Sequence, residues 1–305
     1  MDNKDKIIVI GDIIIDIYSH CETIGLSAET PTISLKHIRD EYTLGGAGLV
    51  YRNLKALNSD VTLISTGNVS DRQYIDEEDI VLIEDDNFSL TKKQRFWSDN
   101  YKHLQVLRET KDSISSKSQN NIINKLSSLA DINTKIIFCD YRTGFFTEDF
   151  CNLIFNNIEN NICFVDSQCH RHEPRYAWFK NCIPVMNLEE AEKHFKKNII
   201  CKQDIQDLLK KDISFESIII KNGKNGVTAC NDEKIFSFDG HDVKNIDTCG
   251  AGDAFLASFV HMYNGKNFSE SLEFANEWAA CSTTLLGTIP VSVEYFKEKK
   301  KWTTA

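Results

Sequence analysis

Proline is scarce in this chain, at 4 of 305 residues, and glycine stands at only 14. Backbone positions of special geometry are therefore few, and no Pro/Gly-rich linker divides the sequence. The ten cysteines, at 21, 139, 151, 163, 169, 182, 201, 230, 249 and 281, include no C-x-x-C pair, which excludes a dense disulfide scaffold. Most read as small buried hydrophobes kept reduced. No apolar run approaches the roughly 18 residues of a membrane-crossing helix, and the charged start Met1–Lys6 does not look like a signal peptide. The expectation is a cytoplasmic protein with no membrane partner. Positive charge is also short: 35 Lys+Arg against 45 Asp+Glu leave a formal net of −10 and a pI near 5.3. A nucleic-acid partner would need a basic footprint, so none is expected. Three motifs are missing as well. There is no G-x-x-x-x-G-K-[ST] phosphate loop, no G-x-S-x-G nucleophile elbow, and Gly11 lacks the further glycines of a dinucleotide fingerprint.

What is present is an alternation of strand-like and helix-like segments. Apolar runs occur at Ile7–Ile10, Val61–Ser65, Ile136–Cys139, Ile162–Val165, Ile183–Met186 and Ile218–Ile220. Several are apolar on consecutive residues, the pattern of parallel strands buried on both faces. Helical stretches follow at Leu49–Leu57, Asp149–Ile158, Glu189–Phe195 and Asp204–Leu209, so a sheet between helix layers is expected. Segments 31–43 and 88–110 differ, because Pro31–His37 and Arg95–Trp97 alternate apolar and polar side chains. They read as a half-exposed antiparallel lid inserted in one domain spanning 1–305, with lid segments at about 13–43 and 88–110. Cys169-His170-Arg171-His172 lacks the second ligand pair of a structural zinc site and reads as a loop. The basic tail Lys297, Lys299, Lys300 and Lys301 reads as a solvated helix end.

Half of the glycines fall in three clusters: Gly45, Gly46 and Gly48; Gly223 and Gly226; Gly250 and Gly252. The third, in Thr248-Cys249-Gly250-Ala251-Gly252-Asp253, opens a helix running through Leu256, Phe259, Val260 and Tyr263. Gly250, Ala251 and Gly252 let backbone N–H groups converge on an anion, and the helix start adds its positive dipole end. Asp253 inside such a nest would repel a resident phosphate. It makes sense as a proton acceptor for a hydroxyl that attacks a phosphoryl group, although a first-turn acid also serves the helix dipole.

This stretch resembles the G-A-G-D signature of the ribokinase (PfkB) family of carbohydrate kinases, and the likeness continues along nearly the whole chain. Gly11-Asp12 through Asp16 is similar to the family's opening strand, Gly45-Gly46-Ala47-Gly48 to its substrate loop and Asn187-Leu188-Glu189-Glu190 to its N-x-x-E motif. Lys221-Asn222-Gly223-Lys224-Asn225-Gly226 resembles its nucleotide-side turn. Within the family, Leu26-Ser27-Ala28-Glu29-Thr30-Pro31, Thr91–Phe96, Gln105–Arg108, Asp140-Tyr141 and Leu286-Gly287-Thr288 resemble heptose 7-phosphate kinases, which phosphorylate the anomeric hydroxyl. Many such kinases are fused to a nucleotidyltransferase. A chain of this length is expected to be the kinase-only form.

The resemblance implies a three-layer ribokinase-like α/β sandwich with a mostly parallel central sheet and a small antiparallel β lid. It implies ATP and Mg²⁺ as cofactors, a sugar phosphate as substrate and a homodimer through the lid. Asp253 becomes the base. Asn187 and Glu190 would orient magnesium through water, and Lys221, Gly223 and Gly226 would line the nucleotide. Asp16, Gly45 and Gly46 would meet the sugar, with Lys93, Arg95 and Arg108 as candidate cations for its phosphate. Four positions depart from the pattern: Leu49 stands where the family has Asn, Gly25 where heptose kinases tend to be basic, Ala28 for Pro and Cys249 for Thr. A kinase for another sugar or a nucleoside, or a non-catalytic binding protein on this fold, remain the alternatives.

Overall fold

The computed structural model describes residues 5–300 except 110–111, 159, 170–172, 201–203, 206, 209–214 and 232–233. Thirteen strands are described, β1 to β13. Nine of them form one sheet in the order β13-β12-β11-β10-β9-β8-β1-β4-β5. Its strands are β1 (Lys6–Gly11), β4 (Asp60–Gly67), β5 (Ile80–Glu84), β8 (Lys135–Asp140), β9 (Cys163–Ser167), β10 (Cys182–Asn187), β11 (Ser217–Lys221), β12 (Val227–Asn231) and β13 (Lys234–Phe238). Pairing is parallel from β5 to β11 and antiparallel at β11–β12 and β12–β13. All six expected strand runs lie in this sheet.

Strand β1 shows why the runs are apolar on consecutive residues. Ile7 and Val9 join one core with Leu54 of α1 (Ala47–Ala56) and Phe259 of α5 (Ala251–Met262). Ile8 and Ile10 join the opposite core with Leu126 of α2 (Ser116–Leu129) and Phe150 of α3 (Glu148–Phe155). Successive side chains point to opposite faces, so a strand covered on both sides must be apolar at every position. Helices α4 (Leu188–Phe195), α6 (Phe268–Ser282) and α7 (Val293–Lys300) complete the described set. Part of the helix expected at 204–209, part of the Cys169–His172 stretch and Lys301 of the basic tail lie outside the described residues.

The lid is a four-stranded sheet in the order β3-β2-β6-β7. The hairpins β2 (Ile13–Leu26) with β3 (Ile33–Gly46), and β6 (Thr91–Ser98) with β7 (Tyr101–Arg108), are antiparallel, and they join through a parallel β2–β6 contact. Strand β2 leaves the main sheet one residue after β1, and β3 leads directly into α1, so the lid is anchored on both sides of the core. Among the described residues no helix is long and apolar enough to cross a membrane.

Candidate active site

Polar side chains gather where the parallel strands end. Asp12 follows β1, Asp140 closes β8, Asp166 lies near the end of β9, Asn187 closes β10 and Lys221 closes β11. Carboxyl ends of parallel strands are where open α/β sheets bind ligands. The start of α5 faces them. Gly250 is its N-cap in the left-handed conformation, φ 83°, and a Cβ there would stand 2.5 Å from Leu49 Cδ2. Glycine is thus required both by the backbone angle and by the approach of α1. Leu49, the residue in place of the family's Asn, is buried and packs beneath the nest. The first-turn N–H groups of α5 have no intrahelical acceptor; that of Ala251 donates to Thr248 O at 3.3 Å, and those of Gly252 and Asp253 are the ones placed to meet an anion.

Asp253 sits in that first turn. Its Oδ1 accepts a hydrogen bond from the Tyr141 hydroxyl. Burial, with the charges of Asp166 and Asp16, pushes its carboxyl up to about 7, against the lowering effects of the Tyr141 bond and Lys221. Lys221 Nζ donates to Asp166 Oδ2 at 2.8 Å and would lie 3.2 Å from a Cβ on Gly252. Burial pulls this ammonium down, but Asp166, Glu190 and Asp253 outweigh it and hold its pKa above the ordinary value. Asp166 is a functional candidate that sequence reasoning missed. The available signal was an acid ending an otherwise apolar strand, Cys163-Phe164-Val165-Asp166.

Asn187 and Glu190 form a capping box at α4. Asn187 Oδ1 accepts from Glu190 N–H at 2.8 Å, and Glu190 Oε2 accepts from Asn187 N–H at 2.8 Å. Tyr176 Oη also donates to Oε2, at 3.1 Å. Glu190 is buried and raised to about 7, by desolvation first and Asp166 second. The N-x-x-E spacing therefore has a structural task in shaping the helix start. Both residues still line a cleft of about 370 Å³ with Asp166, Lys221, Gly223, Gly226, the nest and Asp253. A hard divalent ion suits this carboxylate set, since the second oxygens of Glu190 and Asp166 remain for water or metal.

The sugar-side candidates divide. Asp16 is buried, and its Oδ1 accepts from Arg95 at 2.6 Å while Thr288 Oγ1 donates to Oδ2 at 3.2 Å. A Cβ on Gly45 would meet Asp16 Oδ2 at 2.3 Å, so that glycine makes room for the carboxylate. Gly46 is the N-cap of α1. Arg95 is spent on a buried ion pair with Asp16 and lies over the Tyr18 ring at 5.4 Å. Lys93 is opposite Asp16 in register and shares its face. Arg108 pairs with Lys92 in register and donates to Gln94 at 2.9 Å, which puts it on the other face of the lid. The structure therefore does not bring the three cations together. The reason is a bulge between Phe96 and Trp97 that shifts the hairpin register by one residue, reversing the face of everything beyond it.

The sequence pattern of the pfkB family carbohydrate kinases matches residues 182–294, which contain Asn187, Glu190, Lys221 and the nest. The chain is 26% identical over 308 residues to the bifunctional protein HldE of a Nitratiruptor species, covering 98% of this chain and 65% of the relative. It is 29% identical over 311 residues to that of Sulfurimonas denitrificans, covering 96% and 64%. The chain thus spans just under two thirds of the length of these relatives. Among solved structures, a mutant phosphofructokinase-2 from Escherichia coli superposes with a TM-score of 0.79 at 12% identity, covering 99% of this chain and 100% of that one. The same enzyme in complex with substrates and products gives 0.76 at 12% identity, with the same coverage. At such identities the likeness is one of fold. The likeness establishes the ribokinase-like fold, and the match to the pfkB family of carbohydrate kinases covers residues 182–294, just over a third of the chain.

Proposed function

We propose that the chain transfers the γ-phosphoryl group of ATP to the anomeric hydroxyl of a heptose 7-phosphate, giving a heptose 1,7-bisphosphate. One observation carries the reading: a glycine nest at a helix start, a carboxyl group raised to about 7 and a lysine paired with Asp166 converge on one cleft. Heptose as the sugar rests on the lid and Asp140-Tyr141 motifs.

The chemistry follows from what each group can do. Asp253 takes the hydroxyl proton as the sugar oxygen bonds to the γ-phosphorus. The bond from that phosphorus to the bridging oxygen breaks, and ADP leaves. The N–H groups of the nest meet the charge on the transferring group, a contribution of the kind worth about 10²–10³ in rate per donor. Lys221 offsets the negative charge of Asp166, Glu190 and Asp253, which would otherwise repel a triphosphate. Glu190 and Asp166, beside Asn187, would hold magnesium, which would supply further neutralisation of the phosphates. Asp16, oriented by Arg95 and Thr288, accepts from sugar hydroxyls, and Lys93 is the lid cation left for the distal phosphate.

The exposed residues Ile24, Leu26, Ile33, Ile38, Leu104 and Leu107 give the lid apolar surface, which supports a homodimer formed lid to lid. The structurally similar E. coli phosphofructokinase-2 is described in one solved form as tetrameric. Sedimentation should give twice the monomer mass, and Ile38→Lys should lower it. Function is tested by incubation with ATP, magnesium and a panel of sugar phosphates, followed by phosphorus NMR. The expected product is an anomeric phosphate on heptose 7-phosphate. Transfer to another sugar with none to any heptose would refute the assignment.

A further inference from the structure

The base assignment leaves one half-buried group beside it without a task. Tyr141 is the residue directly after β8, and its hydroxyl reaches across to Asp253 Oδ1 in α5. Its backbone N–H donates to Asp12 Oδ2 at 2.8 Å, while Asp12 Oδ1 accepts from Thr143 Oγ1 at 2.5 Å and Phe145 N–H at 3.3 Å. One buried carboxyl thus pins the turn that carries the phenol. On the other side, a Cβ on Gly46 would stand 3.3 Å from Tyr141 Cδ2, so the ring fills the space between the substrate loop and the catalytic helix. The second oxygen of the base looks elsewhere: Asp253 Oδ2 lies 3.8 Å from the Cβ position of Gly250, on the nest side.

We propose that Tyr141 is the positioning residue of phosphoryl transfer, its phenol holding Oδ1 of Asp253 so that Oδ2 is the oxygen that takes the substrate proton. The proposal rests on the reading of Asp253 as base. A carboxylate with two free oxygens can rotate about its last torsion. Tying one of them to a donor fixes the other, and pre-alignment of this kind lowers the cost of reaching the reactive geometry. The same bond favours the ionised carboxylate, because a phenol donates more strongly to a charged oxygen than to a neutral acid. It opposes the desolvation that raises Asp253. Other groups act on this carboxyl too: Asp166 from β9, Lys221 from β11 and Asp16 from β2, with the thiols of Cys139 in β8 and Cys249 before α5. All of these stay in place when only the phenol oxygen is removed.

The test is the pH dependence of kcat/KM for the sugar with saturating ATP, in wild type and Tyr141→Phe. The acid limb, where activity rises as the base loses its proton, should move to higher pH by about one unit. At pH 7, kcat should fall about tenfold, with both KM values within about twofold of wild type. A limb that does not move overturns the proposal, whatever happens to kcat, since a merely structural tyrosine would lower activity without shifting a titration. Replacing Tyr141 by 3-fluorotyrosine gives the opposite sign, because a stronger donor should move the limb to lower pH, a change that damaged folding would not produce. Asp253→Asn separates the two readings. If that variant keeps both activity and the limb, the base assignment itself fails. If it loses both while the limb of Tyr141→Phe stays still, only the role of Tyr141 fails.

Discussion

The strand-end cleft and the lid hold their polar groups in place by opposite means. In the cleft the side chains project from the ends of buried strands or from the helix starts that face them, so their positions follow from the whole core. In the lid each side chain lies on one face or the other of a sheet with much exposed surface, and a single bulge decides which. The cleft is set by packing and the lid by register. Changes in the cleft should therefore be costly and coupled, and changes in the lid local and cheap.

The largest expected effect sharpens that contrast. Lys221→Met leaves Asp166 and Glu190 facing each other without their cation, and breaking a buried pair of this kind costs about 3–5 kcal/mol. Denaturant unfolding would show it, and a loss under 1 kcal/mol would mean the cleft is more solvated than the structure indicates. Gly250→Ala comes next. It forces a side chain into a positive φ and against Leu49, a cost of about 1–3 kcal/mol. Adding Leu49→Ala should recover part of that loss, because the clash is between these two residues; a purely additive double variant would break the link between α1 and the nest. The lid should respond less. Lys93→Ala should raise the KM for the sugar phosphate about tenfold, as expected for one lost charge-assisted hydrogen bond. Arg108→Ala, on the opposite face, should leave that KM within about twofold. Equal effects from the two would mean that the lid reorganises when substrate enters.

The same contrast explains what could be read from the sequence. The six apolar runs and the Gly250–Asp253 nest were legible because buried parallel strands and a helix-start cradle each leave a local pattern. Asn187 and Glu190 were legible as a motif, whereas their capping-box bonds lie behind an N-cap to N3 spacing that many helix starts share. Asp166 carried only the weak mark of an acid ending a hydrophobic strand. The partnership of Tyr141 with Asp253, 112 positions apart, leaves no mark at all, because long-range contacts are made by topology. Arg108 lies across the lid from Lys93 for a definite reason. The two-residue turn at Asp99-Asn100 pairs Ser98 with Tyr101 and, without the bulge, would set Arg108 opposite Thr91 on the face of Lys93 and Arg95. One extra residue in the strand reverses that, and nothing in the sequence of the hairpin announces it.

The proposed function requires Asp253 to accept the proton in a cleft that holds the nucleotide through other groups. Asp253→Asn, assayed with saturating ATP, magnesium and sugar phosphate, tests it most directly. The account predicts that kcat falls by about 10²–10⁴ while the nucleotide dissociation constant stays within about threefold of wild type. A variant that turns over within tenfold of wild type would contradict it.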